Sequence, residues 1–198
     1  MTASTAAELL LIRHGETAWS RSGQHTSRTD LPLTEVGEAQ ATALRALVAS
    51  RSFSLVLSSP RLRARRTAEL AGLAAAIIDD DLAEWDYGAY EGRTTAEIAA
   101  EVPGWSIWSA PCPGGESAAE VATRVDRVIA RVRAQPAGAT AVAVAHGHLL
   151  RVLAARWIGA EPTDGRWLCL DTATWSLLGW EHAVATVVRW NVPGTAVA

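Results

Sequence analysis

Apolar residues in this chain come in two patterns. Some form short unbroken runs, as in buried strands; others recur every three or four positions, as on one face of a helix. Leu9 to Arg13 is the first run, an apolar strand that ends on polar residues. A Gly-, Ser- and Thr-rich stretch from Gly15 to Pro32 reads as loop with a short helix. Thr34, with Gly37 and Glu38, then opens a helical pattern in which Val36, Ala39, Ala43, Leu44 and Leu47 share a face. Phe53 to Leu57 is a second strand, Ser58-Ser59-Pro60 turns the chain, and Arg61 to Ala71 is helical. Ile77-Ile78 is a short third strand. Thr94 to Glu101 is a short helix closed by Pro103-Gly104, and Ser117 to Arg133 is a long one with Val121, Val125, Val128 and Val132 on one face. Ala139 to Ala145 is a strand and His148 to Ile158 a helix; strand-like runs follow at Trp167 to Leu170, Trp175 to Trp180 and Thr186 to Trp190.

Strands alternate with helices through most of this order, which predicts an α/β sandwich around a largely parallel sheet. The region from Tyr87 to Gly115, rich in Trp and Gly, interrupts the alternation and is expected to be a small insertion over the site. With no internal repeat or low-complexity linker, residues 9–198 read as one domain, a size that supports a single core. Residues 1–8 read as a short disordered leader without the basic start and apolar stretch of a signal peptide. The cytoplasm is therefore the expected location. No apolar run approaches the length of a membrane span.

Charge changes the picture in one respect. A net charge of −3 supplies no global field for nucleic acid or an acidic membrane. All 18 cationic side chains are Arg, however. That uniformity fits coding bias in a chain also rich in Ala, and a bidentate phosphate-binding role applies to only two or three of them. Cys112 and Cys169 are far apart and read as unremarkable thiols.

Ligands of open α/β sheets bind beyond the carboxyl ends of the strands. Three polar clusters fall there: Arg13-His14-Gly15-Glu16-Thr17, Ser58-Ser59-Pro60-Arg61-Leu62-Arg63, and His146-Gly147-His148. A fourth, Glu84-Trp85-Asp86-Tyr87-Gly88, follows the third strand. Taken singly, each has a bland explanation as a turn or a solvated face. Together they bring two arginines, two histidines and a carboxyl group to one sheet edge. Such a set can transfer phosphoryl groups: imidazole attacks phosphorus, guanidinium neutralises its oxygens, and a carboxylic acid protonates the leaving oxygen.

The R-H-G-E-T run, S-S-P-x-x-R-A-R-x-T-A-E and A-H-G-H, in this order, resemble the histidine phosphatase superfamily that includes cofactor-dependent phosphoglycerate mutases. The resemblance runs from about Leu9 to Arg151 and implies a three-layer α/β/α sandwich of the phosphoglycerate mutase type. It implies His14 as nucleophile, Arg13 and Arg63 as phosphoryl-binding groups, His146 completing that pocket, and Glu84 as general acid and base. Ser20 and Thr26 fall where the family often places further contacts, and Tyr87 and Gly147, within the clusters above, complete the expected substrate-binding set. In this family the ring nitrogen of the nucleophile opposite the attacking one bonds backbone beside the motif, which here points to Gly15. The stretches WSRSGQHTSRTDLPLT, SSPRLRARRTAEL and EWDYGAYEG, with the Trp105 to Glu116 pattern, look like the fungal sedoheptulose-1,7-bisphosphatases and related actinobacterial acid phosphatases.

Hydrolysis of a small phosphorylated metabolite, a sugar phosphate or bisphosphate, is the activity this implies. A phosphoglycerate mutase-type phosphotransferase and a non-catalytic phospholigand-binding relative are the alternatives. The mutase branch carries a longer insertion with adjacent arginines, whereas no Arg lies between Arg93 and Arg124 here. No cofactor or metal is expected: the clusters gather Arg and His rather than carboxylates, and Asp79-Asp80-Asp81 reads as a solvated turn. Trp157, Trp175 and Trp180 are expected in the core or at a subunit contact, and the tail could support a homodimer. Trp105 and Trp108 either wall the pocket or pack the insertion.

Overall fold

The computed structural model describes residues 6–194; most of the expected leader, Met1 to Thr5, lies outside them. Its elements, in chain order, are β1 (Glu8–Arg13), α1 (Ala18–Ser22), α2 (Glu35–Ala43), α3 (Arg45–Ala49), β2 (Leu55–Ser58), α4 (Leu62–Ala71), β3 (Ile77–Ile78), α5 (Thr95–Glu101), α6 (Ala118–Arg133), β4 (Thr140–Ala145), α7 (Gly147–Trp157), β5 (Thr174–Glu181) and β6 (Val184–Pro193). The six strands form one sheet in the order β3-β2-β4-β1-β5-β6. β1, β2, β3 and β4 are mutually parallel; β5 is added antiparallel to β1, and β6 antiparallel to β5.

Strand periodicity explains why the sheet is covered on both faces. Leu9 and Leu11 of β1 and Ala141, Ala143 and Ala145 of β4 enter one apolar cluster with Val121, Val125, Val128 and Val132 of α6 and Leu149 and Leu153 of α7. Leu10, Ile12, Val142 and Val144 enter the other, with Leu44, Leu47, Ala64 and Ala68 from the α2–α4 side. Successive side chains of a strand point to opposite faces, so a strand apolar at every position demands two helical layers. The α6 valines are fully buried, each contributing about 2 kcal/mol of transfer free energy. Helix starts follow the sequence signals: Thr34 caps α2 through Gly37 N–H, and Ser117 with Glu120 forms a capping box at α6.

Several expectations require correction. Glu8 belongs to β1 and Ala7 is buried, so the packed fold begins before Leu9. The helical pattern after Thr34 breaks into α2 and α3, and Val36 is 53% exposed because α2 turns Gly37 and Ala41 inward instead. Trp167 to Leu170 is not a strand. A 3₁₀ segment, Pro162–Trp167, ends there; Gly165 and Arg166 within it accept from Arg151, and Leu170 beyond it accepts from Arg13. Asp79 and Asp81 are not merely solvated; they pair with Arg131 and Arg127 of α6. Trp157 and Trp175 are buried, and Trp180 packs against Trp157 with ring centroids 5.6 Å apart. Among the described residues no helix is long and apolar enough to cross a membrane.

Candidate active site

Because β1, β2 and β4 are parallel neighbours, the clusters after Arg13, Ser58 and Ala145 emerge at one edge of the sheet. Gly15 is required there by close packing. A Cβ on it would overlap the carbonyl oxygen of Gly37, and one on Gly37 would overlap that of Glu16. The two glycines let the loop after β1 lie against the first turn of α2. Gly15 N–H also donates to Thr67 Oγ1 of α4 at 3.0 Å.

His14 is buried, and its Nδ1 lies 2.7 Å from the carbonyl oxygen of Gly15. A carbonyl only accepts, so Nδ1 carries the proton and, in the neutral ring, Nε2 holds a lone pair. Burial, then the charges of Arg63 and Arg13, push the His14 pKa well below the usual imidazole value. Behind it stands His146, fully buried, with ring centroids 5.1 Å apart. His146 Nδ1 accepts from Arg63 Nε at 3.2 Å, and its Nε2 is 2.7 Å from Ser59 Oγ. Arg63 is itself fully buried and donates further to the carbonyls of Thr29 at 3.1 Å, Thr26 at 3.0 Å and Ser27 at 3.3 Å. Those carbonyls belong to a loop held from the other side by Glu91, whose carboxylate accepts from Ser27 N–H, Ser27 Oγ and Thr29 N–H.

Glu84 sits at the start of α7. Its carboxylate accepts from the backbone N–H groups of Trp85 at 2.9 Å, Leu149 at 2.8 Å and His148 at 3.1 Å. The last two are orphan donors of a helix N-terminus, a favourable place for an anion. Gly147 leaves room beside Arg13: a Cβ on it would stand 3.3 Å from the guanidinium carbon. Arg13 donates to Leu170 O, while its buried Nε has no protein partner among the described residues.

A cleft of about 230 Å³ opens on this edge, lined by Arg13, His14, Ser20, Thr26, Glu84, Tyr87 and Gly147 among others. Seven of the nine predicted residues thus share one cleft. Arg63 and His146 do not line it; they form the buried layer behind His14. Sequence reasoning missed Gln24, His25, Thr95, His148, Arg151 and Leu170, which with Gly23 complete the lining. His148 and Arg151 carry a usable signal, since residues three apart on α7 share a helix face. His25 and Thr95 carry none, because only the tertiary fold brings their loops together. Trp105 and Trp108 stand behind the lining: Trp105 packs on His25 with centroids 5.6 Å apart, and the Arg151 guanidinium lies 4.6 Å over Trp108. Burial pushes the Cys112 thiol up to about 11, so it is no nucleophile at neutral pH. Among the described residues no group of three or more His, Cys, Asp or Glu is arranged to hold a metal ion.

A family model described as the histidine phosphatase superfamily (branch 1) matches residues 9–193. An acid phosphatase of Mycobacterium tuberculosis is 40% identical over 188 residues, spanning 94% of this chain and 93% of that protein. A sedoheptulose 1,7-bisphosphatase of Saccharomyces cerevisiae is 36% identical, over 79% of this chain and 69% of its own length. The solved structure of open reading frame Rv3214 from M. tuberculosis superposes with a TM-score of 0.91 at 38% identity, covering 95% of this chain and 98% of that one.

Proposed function

Because the chain belongs to the histidine phosphatase superfamily, we propose that it hydrolyses phosphate monoesters of small polyhydroxylated metabolites through a phosphohistidine on His14. The carrying observation is the 2.7 Å bond from His14 to the Gly15 carbonyl, which leaves the Nε2 lone pair free beside Arg13 and Glu84. In the first step Nε2 attacks phosphorus, the N–P bond forms and the ester P–O bond breaks. Glu84, protonated, gives its proton to the departing alkoxide. In the second step the Glu84 carboxylate takes a proton from water as its oxygen attacks phosphorus. The N–P bond breaks, and inorganic phosphate leaves. Arg13 meets the equatorial oxygens directly. Arg63 and His146 act from behind, holding the phosphoryl-facing loop and the His14 ring in place.

The remainder of the cleft supports a hydroxylated substrate. Ser20, Gln24 and Thr95 offer hydroxyl and amide groups, and Arg151 offers a cation for a carboxylate or second phosphate. With guanidinium groups meeting the phosphoryl charge, turnover should persist in chelator. The decisive experiment is acid-free quenching during turnover of ³²P-labelled substrate. Base-stable, acid-labile label on His14 supports the reading, and its absence together with an active His14→Ala protein refutes it.

A further inference from the structure

His148 follows the phosphate-site histidine by two residues, and the mechanism above gives its ring no task. The ring lines the cleft, and its backbone N–H is bound to the Glu84 carboxylate at 3.1 Å. Its Nδ1 lies 2.6 Å from the hydroxyl oxygen of Tyr87. Tyr87 is buried, and its hydroxyl has no other hydrogen-bond partner among the described residues. If Nδ1 were the donor, the phenolic proton of this largely buried side chain would have no protein acceptor among the described residues, a costly arrangement. The bond that satisfies both groups runs from Tyr87 O–H to Nδ1, and the proton of the neutral ring then sits on Nε2. Nε2 has no protein partner among the described residues and is not sealed within the core. The ring is held from moving by edge contacts with Tyr87 at 5.8 Å and Trp108 at 5.3 Å between centroids.

We propose that Tyr87 locks His148 into its Nε2–H tautomer, so that His148 presents a fixed, neutral hydrogen-bond donor to an oxygen of the leaving alcohol. The substrate class is narrowed accordingly. It is a phosphate ester whose alcohol carries a hydroxyl or carbonyl close to the scissile oxygen, because His148 adjoins the residue that protonates that oxygen. Tyr87 is then a positioning residue and His148 a specificity-determining one. The electrostatics agree: burial and the nearby Arg151 push the His148 pKa well down, and burial pushes that of Tyr87 well up, so neither group ionises near neutral pH. A donor aimed at a hydroxyl discriminates strongly against an analogue lacking one, since the donor is then left unpaired in a desolvated site.

The inference rests on the phosphatase reading but is tested apart from it. Two-bond ¹H–¹⁵N correlation of the intact protein at neutral pH should show His148 with a pyridine-type Nδ1 and a protonated Nε2. In Tyr87→Phe the two tautomers should mix. Ribose 5-phosphate and n-pentyl phosphate have the same number of carbons and similarly poor leaving groups, and differ in their hydroxyls. The wild-type preference in kcat/KM for the former should fall by about tenfold in both Tyr87→Phe and His148→Phe. A protonated Nδ1 in the wild-type protein, or a preference unaltered in Tyr87→Phe, would overturn the proposal. p-Nitrophenyl phosphate separates the two readings. If wild type hydrolyses it but shows no preference for the hydroxylated ester, the tautomer lock fails and the phosphatase reading stands. If wild type turns over no ester at all, the phosphatase reading itself fails.

Discussion

Arg63 donates its Nε–H to Nδ1 of His146 across 3.2 Å, with both side chains fully buried. The remaining guanidinium nitrogens take three loop carbonyls, so one side chain ties α4, the loop at 26–29 and the strand-end histidine together. A lysine keeps the charge but cannot reproduce a planar fork. Arg63→Lys is therefore expected to lower kcat/KM by at least about 100-fold and to destabilise the fold by about 2–3 kcal/mol. Steady-state kinetics and urea denaturation would check both effects. A wild-type denaturation midpoint would mean that the carbonyl bonds add nothing.

The outer support of that loop makes a separate expectation. Glu91 accepts from Ser27 and Thr29, and these bonds hold its carboxyl below the ordinary range. Glu91→Ala should loosen the loop that Arg63 grips and reduce kcat more than it raises KM, although Glu91 does not line the cleft. Single-turnover rates at saturating substrate would show it.

The acid role of Glu84 is tested by leaving group. A sugar alkoxide needs a proton in the transition state; p-nitrophenolate does not. Glu84→Gln should slow phosphoenzyme formation from a sugar phosphate by about 10²–10⁴-fold, and much less from p-nitrophenyl phosphate. Breakdown of the phosphoenzyme should slow for both. Equal slowing of formation with the two substrates would reassign Glu84 to positioning, and Asp86 or Glu16 would become the acid to test.

The buried imidazoles set the pH dependence of stability. His14, His146 and His148 are all depressed below the ordinary value of 6.5 by burial and neighbouring arginines. Below that value the unfolded chain binds protons that the folded one refuses, so stability is complete above about pH 6.5 and falls as pH drops toward the depressed folded values. Each such imidazole contributes a slope of about 1.4 kcal/mol per pH unit within that window. Urea midpoints from pH 7.5 to 5 should fall, and less so in His148→Phe. The acid limb of kcat/KM belonging to His14 should lie well below pH 6.5.

Gly15→Ala tests the packing that seats the nucleophile. The new methyl must displace the Gly37 carbonyl, at a cost of about 1–3 kcal/mol for overpacking. The protein should fold but form little phosphohistidine. Normal labelling would show that the loop has room to yield.

Much of this was legible from the residues. The unbroken runs at β1 and β4 demand two covered faces, and the polar clusters that follow them share a sheet edge by topology alone. The long spacing of valines in α6 fixed its buried side. What escaped was decided by partners distant in sequence. Trp167 to Leu170 has a strand's alternation, but its Leu170 carbonyl accepts from Arg13 and its Cys169 carbonyl from the Trp190 indole, so no sheet ladder forms there. Val36 keeps helical spacing yet faces outward because two glycines must touch on the opposite side. His25 and Thr95 come to the cleft from loops that nothing local relates.

The Nε of Arg13, without a partner among the described residues, has a thermodynamic consequence for the resting enzyme. Folding strips water from two guanidinium groups at this edge, and Glu84, already satisfied by backbone donors, answers only part of their charge. A tetrahedral oxyanion held at the proposed phosphoryl site would offset that uncompensated charge. An ion that binds the native state alone adds stability that grows as the logarithm of its concentration. Inorganic phosphate is both the product and an ion of this kind. On the proposed reaction, accumulating product should therefore make the catalyst progressively harder to unfold while competing for its site, and would couple the protein's lifetime to the phosphate level around it.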